Sequence, residues 1–349
     1  MAFAPTYGFP GGDNTNIPLL ELSGNLMVEY GRNLKRLINR VVRRTPVQKT
    51  VGTYLHFDPL SLARINNRPQ NNVWAPGTLR PTGFGNSLGF IQRTFRTTRY
   101  DYPMTLDKRM VDLANWPIMK SHTQALAQQA ETEQWLIVVE KMFDSANLPS
   151  THVDTASSLN GQGFTQSGTT ADPRIKNTLD GAWAIVQKDT MGRVRWGSGS
   201  VLINHNTARR WSATREIREY VMQTTDAIKN ITQDPSNYNA AYGLPARLYN
   251  YNLVIDDVYY NSYNEGASGA TATVVVPDNQ ALVFLAEGDL EQPDGTASYN
   301  TCHVFEYEPY TVESKDDAYN RLVFLNVALE YTPEIVAPAT AFKITNLFS

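Results

Sequence analysis

The sequence predicts an α+β fold, because helical and strand patterns occupy different parts of the chain. Helical patterns lie in the middle, over residues 121–147 and from Asp172 onward, and strand patterns dominate after residue 249. Between residues 51 and 100, two extended stretches flank a segment crowded with proline, glycine and asparagine. The 349 residues suffice for one elaborate domain or two, and 42% hydrophobic residues can fill a core.

The first 48 residues predict an arm followed by a basic helix. Residues 1–20 are rich in Gly, Pro and Asn without periodicity, which is typical of an extended arm that orders against a partner. Apolar residues then recur at helical spacing from Leu26 to Val41, with basic residues on other faces, until Pro46 ends the pattern. A docked helix with a solvated basic face is favoured over a membrane-surface helix, because Tyr30 is its only aromatic residue.

Residues 51–100 predict a long two-armed ribbon. The return arm, residues 90–100, has the Thr, Phe and Tyr content of a strand and carries Arg93, Arg96 and Arg99. An isolated two-stranded ribbon is marginal in water because it cannot bury its own surface. The ribbon is therefore expected to lie against a neighbour.

The middle of the chain predicts helices with defined ends. Residues 121–124 have the capping-box spacing at the start of a long helix that runs toward Pro149. Asp172 and Pro173 predict the start of a second helix, and Gly192 lies past its end. A strand over residues 200–204 and helical segments through Trp211, Ile217 and Val221 follow.

Strands are predicted late in the chain, over residues 249–260 and 271–286. A turn at residues 277–280 interrupts the second, because Pro277 presets φ and Asn or Asp tolerates tight backbone. The last strands are predicted over residues 320–331 and 341–347, separated by Pro333 and Pro338.

Charge is sorted along the chain. The first 110 residues carry 15 Lys and Arg against 6 Asp and Glu, and the remaining 239 carry 16 against 28. A monomer does not need this division of charge, whereas a protein whose N-terminal part docks on the C-terminal part of another copy can use it. The net charge of −3 argues against a general nucleic-acid binder but is compatible with a local basic patch.

Apolar stretches fall far short of the roughly 20 residues that span a bilayer, so no membrane partner is expected. The N-terminus lacks the basic start and apolar run of a secretory signal, so synthesis in the cytoplasm is expected.

The sequence nominates no catalytic, metal or cofactor site. Five histidines are scattered without ligand spacing, and Cys302 is the only cysteine. Asp256, Asp257 and Glu287 offer carboxylates, so a soluble hydrolase that uses these late acidic loops is a remote alternative, but solvated loops are the default interpretation. We expect no enzyme and no cofactor.

The order of these segments resembles the major capsid proteins of tailed bacteriophages with the Hong Kong 97 type of fold, particularly the lambda-like major head proteins. The resemblance covers nearly the whole chain. It is carried by short segments in a fixed order: residues 97–100, the helix over 121–147, residues 172–175, 200–204, 242–245, 254–256, 276–279 and 281–285.

The resemblance implies four regions. Residues 1–48 would be an N-terminal arm with its helix, and residues 49–104 an extended E-loop. Residues 105–171 and 316–349 would form the peripheral P-domain with a long spine helix, and residues 172–315 the axial A-domain.

It also implies a function: self-assembly into hexamers and pentamers that form an icosahedral head around double-stranded DNA. The implied location is the virion, after assembly in the host cytoplasm, with non-specific contact to DNA. Portal and decoration proteins are implied partners, together with a separate scaffolding protein, since about 50 residues precede the E-loop. An encapsulin-type cage, which the same fold can build, stays an alternative.

Some relatives join subunits through an isopeptide bond between an E-loop lysine and a distant asparagine. Residues 50–107 contain no lysine, so we predict a non-covalent shell.

Two sets of residues are candidates for contacts. The candidate contacts between subunits are Arg93, Arg96, Arg99, Asp256, Asp257 and Glu287. The candidate contacts to the lumen or a scaffold are Arg36, Arg40, Arg43 and Arg44.

Overall fold

A computed structural model of the protein describes residues 37–57, 90–113, 118–160, 175–192, 194–223, 238–261, 272–286, 300–317 and 319–348. Residues 37–41 are helical. The strands in this part of the chain are β1 (Arg43–Pro46), β2 (Val51–Phe57), β3 (Phe90–Arg96), β4 (Thr98–Asp107), β5 (Val153–Thr155), β6 (Ser200–Asn204), β7 (Arg247–Leu248), β8 (Tyr251–Asp256), β9 (Tyr259–Tyr260), β10 (Thr273–Val274), β11 (Ala281–Phe284), β12 (Cys302–Asp317), β13 (Leu322–Ile335) and β14 (Phe342–Thr345). The helices are α1 (Lys108–Leu113), α2 (Ile118–Phe143), α3 (Ala156–Asn160), α4 (Ile175–Asp189), α5 (His205–Ser212) and α6 (Arg215–Gln223). None of these helices is long and apolar enough to cross a membrane.

A six-stranded mixed sheet, in the order β5-β14-β11-β6-β8-β7, is buried on both faces. Successive residues of a strand point to opposite faces, so Leu202 joins one core while Val201 and Ile203 join the other. Helix α4 contributes the fully buried Trp183 to the second core. Strands β6 and β8 run parallel and end together at Asn204 and Asp256.

A four-stranded sheet, in the order β1-β12-β13-β4, packs one face against the long helix α2. Alternate residues of β13, from Val323 to Ile335, are buried in the same cluster as the apolar side chains of α2. The other face of β13 carries Phe324, Asn326 and Glu330, which are exposed or half-buried. The sheet thus has one face in the core and one face largely open.

The predicted ribbon is confirmed as an antiparallel pair, β2 with β3, from Val51 opposite Arg96 to Phe57 opposite Phe90. Residues 58–89 lie outside the described part of the chain. The next strand, β4, pairs instead with β13, so the ribbon ends at Arg96.

Several local predictions are confirmed. Strand β6, helices α5 and α6, and the turn before β11 lie where they were expected, and Asn279 adopts a φ of 61° in that turn. At the end of α4 the amide of Gly192 bonds to the carbonyl of Gln187 at 2.8 Å, with a φ of 71°. The predicted cap at Asp172 lies outside the described residues.

The predicted start of the long helix is wrong. Helix α2 already includes Ile118, so residues 121–124 are internal and do not cap it. The hydroxyl of Thr123 donates to the carbonyl of Met119, 2.9 Å away, one turn earlier in the same helix. A Ser-x-x-Gln spacing inside a helix cannot be distinguished from a cap by sequence.

The predicted end of the first helix is also wrong. The amide of Val42 makes the last helical bond to Ile38, and Arg43–Pro46 is strand β1, parallel to β12. Arg43 and Arg44 therefore lie in a strand. Pairing with a distant strand outweighs the local helical period here.

The longest strand, β12, was not predicted, because acidic residues hide its alternation. The pair β12 and β13 runs through Pro333, which was expected to end the strand. Pro333 lies past Tyr331, where pairing with β4 ends, so its missing N–H faces no third strand.

The region boundaries implied by the resemblance do not follow the sheets. Residue 104 falls inside β4 and residue 315 inside β12, and β14 pairs with β11 in the six-stranded sheet. The division into named regions stays a prediction.

Candidate subunit-contact surfaces

The root of the ribbon is fixed to its own subunit by stacked aromatic rings. Phe95 of β3 stacks on Phe305 of β12 with ring centroids 4.3 Å apart and planes 8° apart. Both rings are buried, and Tyr54 lies 5.5 Å from Phe305. Gly52, opposite Phe95, leaves room for that ring, since a Cβ there would lie 2.5 Å from Phe95 Cζ. We call this stack of Phe95 on Phe305 the aromatic seat. Sequence reasoning missed it because Phe305 lies on the unpredicted strand β12.

Thr97 closes the ribbon at its base. Its amide donates to the carbonyl of Thr50 at 2.8 Å, and its hydroxyl donates to the carboxylate of Glu330. These bonds join both arms of the ribbon to β13. The aromatic seat and the Thr97 bonds therefore set the direction in which the ribbon leaves the sheet.

The ribbon presents exposed cations at its root and farther along β3. Arg93 and Arg96 are both exposed, and Val51 beside Arg96 is 56% exposed. Arg93 lies opposite Tyr54, whose pKa is raised mainly by burial and next by Glu334. Arg93 also donates a hydrogen bond to Tyr54 of its own chain. The contact of Arg93 and Arg96 with another subunit stays a prediction.

Arg99 forms ion pairs with carboxylates of its own chain. Its guanidinium lies 3.2 Å from Asp101, 3.9 Å from Glu308 and 3.7 Å from Glu313. The bond with Asp101 raises the pKa of Arg99. Asn326 also donates to Asp101 at 2.9 Å. This network covers the open face of the four-stranded sheet with an excess of carboxylates.

The expectation that Asp256 contacts another subunit is wrong, because its side chain is only 1% exposed. Its carboxylate accepts bonds from Trp135 Nε1 at 3.1 Å and from the amides of Val258 and Val276, each at 3.2 Å. Burial raises the pKa of Asp256 to about 6. This carboxylate therefore links helix α2 to the loops at the end of the six-stranded sheet. The neighbouring Asp257 is exposed, and Glu287 lies outside the described residues.

The basic N-terminal candidates also contact their own chain. Arg44 pairs with Glu306 and donates to Asn39 at 2.9 Å and to Gln134 at 3.3 Å. Arg40 donates to the carbonyl of Leu253 at 3.4 Å, and burial lowers its pKa.

Arg43 is half-buried opposite His303 in β12, and Arg36 lies outside the described residues. Arg40 and Arg44 thus tie residues 37–46 to both sheets, and their role toward a lumen or scaffold stays a prediction.

The groups that could carry chemistry include a buried histidine and a buried thiol. The described residues hold no group of three His, Cys, Asp or Glu that could bind a metal. His152 is fully buried, with Nδ1 2.7 Å from the carbonyl of Ala341 and Nε2 2.8 Å from Asp189. Burial raises the pKa of Cys302 to about 12, which keeps this thiol protonated and unreactive at neutral pH.

Comparison with known proteins gives structural matches only. No protein-family model and no curated protein sequence matches the chain. A phage-related protein from Bordetella bronchiseptica RB50 matches with a TM-score of 0.54 and 11% identity, over 93% of this chain and 96% of that chain. The mature capsid protein of bacteriophage PhiM1 matches with a TM-score of 0.50 and 12% identity, over 88% and 85%. A virus-like particle from Pyrococcus furiosus matches with a TM-score of 0.50 and 8% identity, over 93% and 99%.

These matches span most of the length of each matched protein, so the likeness is not limited to a small common domain. The chain has the fold of tailed-phage major capsid proteins, the Hong Kong 97 type, in agreement with the predicted α+β class.

Proposed function

We propose that this protein is a major capsid protein that self-assembles into the icosahedral shell of a bacteriophage head. The observation that carries the proposal is the full-length match to shell-forming proteins, 88% of this chain against the PhiM1 capsid and 93% against the virus-like particle. The exposed residues of the described ribbon arms, such as Thr53 and Arg93, support the proposal, because a neighbouring subunit could cover them. The role is structural, and no turnover is needed.

Assembly is tested by expressing the full chain and measuring its sedimentation velocity and negative-stain images. We expect hollow polyhedra tens of nanometres across, built from hexamers and pentamers. A separate scaffolding protein is proposed, so expression is repeated with the scaffolding gene of the source phage. A purely monomeric profile under both conditions contradicts the proposal.

An encapsulin-type cage is the second candidate function, and the match to a virus-like particle over 99% of that chain is compatible with either kind of shell. The contents of particles from the natural source separate the two functions. Double-stranded DNA protected from nuclease indicates a phage head, which would include a portal and any decoration proteins. A packaged enzyme with no protected DNA indicates a cage.

Within the shell, Arg93 and Arg96 of one copy are proposed to contact carboxylates of a neighbour. We predict that Arg93→Glu with Arg96→Glu lowers the yield of shells. An exposed ion pair contributes about 1 kcal/mol at most, which corresponds to roughly a fivefold loss per residue. Shell yield is measured by sedimentation at low salt, where such pairs are screened least.

Arg218→Glu is the matched control, because Arg218 is exposed on α6 and carries no proposed contact. Equal shell yields for the ribbon variant and this control contradict the contact.

A further inference from the structure

Strand β1 attaches the N-terminal part of the described chain to β12, at one edge of the four-stranded sheet. The pairing is short, from Arg43 opposite His303 to Pro46 opposite Glu306. The amide of Val47 extends it by donating to the carbonyl of Glu306 at 2.8 Å. Within the described residues, β1 pairs on one side only. A change of charge along so short a strand can therefore shift the equilibrium between its paired and opened states.

His303 is half-buried where β1 meets β12. Its Nδ1 atom lies 3.2 Å from the hydroxyl of Thr45, and its ring centroid lies 6.2 Å from that of Phe305 in the aromatic seat. Arg43 is its direct partner in the parallel register. A neutral imidazole can accept a hydrogen bond from the Thr45 hydroxyl, so the uncharged ring fits this position.

The charges around His303 oppose its protonation. Arg43 lies opposite it on β1, and Glu334 lies opposite it on β13. Glu334 already pairs with Lys141 of α2 at 3.3 Å, which offsets its attraction for a second cation. The ribbon, which packs at the aromatic seat, carries a further cation, Arg93. A proton on His303 would place a partly buried charge beside Arg43, and both burial and repulsion disfavour this state.

The same two causes set the direction of the pH effect. Burial, and next the charge of Arg43, lower the pKa of His303 from its ordinary value of 6.5 to about 4. The stability that depends on a neutral His303 is therefore fully present above about pH 6.5 and is lost as pH falls toward 4. Between pH 7 and pH 4 the opening equilibrium of β1 should change about 100-fold.

Apolar residues before β1 limit how much of the chain opens. Ile38, Val41 and Val42 are buried in the core beneath the four-stranded sheet, and the amide of Val42 donates to the carbonyl of Ile38 at 2.9 Å. Burial of one such side chain changes an equilibrium roughly tenfold or more, so three together outweigh a change of about 100-fold at one histidine. Acid should open β1 while residues 37–42 stay packed.

We propose that His303 makes the pairing of β1 with β12 sensitive to pH, so that the neutral ring holds residues 43–47 on the sheet and acid loosens them. This device belongs to the single subunit and does not depend on the formation of a shell.

This pH dependence is tested by hydrogen exchange of the full-length, unassembled chain at pH 7 and pH 4, resolved to single amides by mass spectrometry. Each rate is divided by that of an unstructured peptide of the same sequence at the same pH, which removes the intrinsic effect of pH. The reporters are the amides of β1 and of Val47, and the amide of Val42 is the internal reference. We expect the protection of the reporters to fall about 100-fold on acidification, while that of Val42 stays.

His303→Gln keeps a polar side chain at this position but cannot take up a proton in this range. It retains Glu306 and Glu334, so the protonation of these carboxylates affects the variant and wild type alike. The protection of β1 in this variant should fall at least tenfold less than in wild type. His122→Gln, which replaces a half-buried histidine of α2, is the matched control and should behave like wild type.

A second variant, Arg43→Gln, keeps His303 and removes the opposing charge. Its protection of β1 should fall less than that of wild type, and this comparison decides the outcome if His303→Gln does not fold. An equal fall in Arg43→Gln and wild type, or a difference of less than tenfold between His303→Gln and wild type, overturns the proposed role of His303. A fall at Val42 as large as that in β1 also overturns it, because the whole segment would then open together.

Discussion

The carboxyl group of Asp256 shows how burial decides the role of a single residue. Sequence reasoning placed it among solvated acidic loops, whereas it lies beneath the loops that follow β8 and accepts three N–H bonds. The sequence signal was ambiguous, because Asp256 and the exposed Asp257 are adjacent and chemically identical. They differ in the folded chain because Asp256 is the last residue of the parallel pair β6 and β8, whereas Asp257 follows that pair.

We predict that Asp256 makes folding stability depend on pH. The native pKa of about 6 exceeds the ordinary value of 3.8, so the native state holds its proton to higher pH than the unfolded state. The contribution of Asp256 to stability is therefore greatest below pH 4 and is lost as pH rises to about 6. The loss amounts to about 3 kcal/mol, from two pKa units at about 1.4 kcal/mol each.

The measurement is urea unfolding of unassembled subunits, with wild type compared with Asp256→Asn between pH 4 and pH 7. The amide that this substitution introduces cannot ionise, so the stability of wild type relative to the variant should fall by about 3 kcal/mol over this range. Asp257→Asn, which removes the exposed neighbouring carboxylate, is the control for the loss of a charge in this loop. A difference between wild type and Asp256→Asn that stays constant from pH 4 to pH 7 would contradict the prediction.

At the scale of elements, the sequence was sufficient to predict turns and helix ends whose conformation depends on adjacent residues. The turn at Asn279 and the end of α4 at Gly192 could be predicted, because their backbone conformations favour those residue types. Strand β1 could not, because its pairing with β12 joins residues more than 250 positions apart. Strand β12 could not, because its acidic residues obscure the alternation of apolar and polar positions. The stack of Phe95 on Phe305 depends on β12, so it could not be predicted either.

We predict that Gly52→Ala disturbs the ribbon while leaving the subunit folded. The added Cβ would lie 2.5 Å from the ring of Phe95, so the ring must leave its stack on Phe305. Overpacking of this kind costs about 1 to 3 kcal/mol. The ribbon should then leave the sheet in a different direction. Shell yield should fall clearly, while the free energy of unfolding of the subunit should fall only by these few kcal/mol. Both quantities are measured on the same preparation, by sedimentation and by urea unfolding.

Two further variants make the test specific. Thr53→Ala changes an exposed neighbour and should assemble like wild type. Phe95→Leu combined with Gly52→Ala removes the clashing ring atoms and should recover part of the lost stability. Unchanged assembly and stability for Gly52→Ala would show that the seat does not position the ribbon.

For the whole molecule, both parts of the sorted charge include exposed or half-buried residues. The basic first part includes Arg93 and Arg96 of the ribbon, and the acidic second part includes Glu308 and Glu313 of β12. Exposed pairs contribute little free energy each, so we predict that this sorting guides docking more than it stabilises the finished shell. We therefore expect the strength of a shell to come from apolar contacts between copies.

We predict that these contacts hold the shell without covalent bonds between subunits. Residues 50–107, which include both arms of the ribbon, contain no lysine, so the ribbon lacks the amine that an isopeptide bond requires. Mature particles boiled in detergent with reductant should therefore release only 39.1 kDa chains on a denaturing gel. Particles treated with glutaraldehyde serve as the control for detecting linked chains. A ladder at multiples of the chain mass in untreated particles would mean that another lysine forms the bond. In that case the shell would not depend on apolar burial alone.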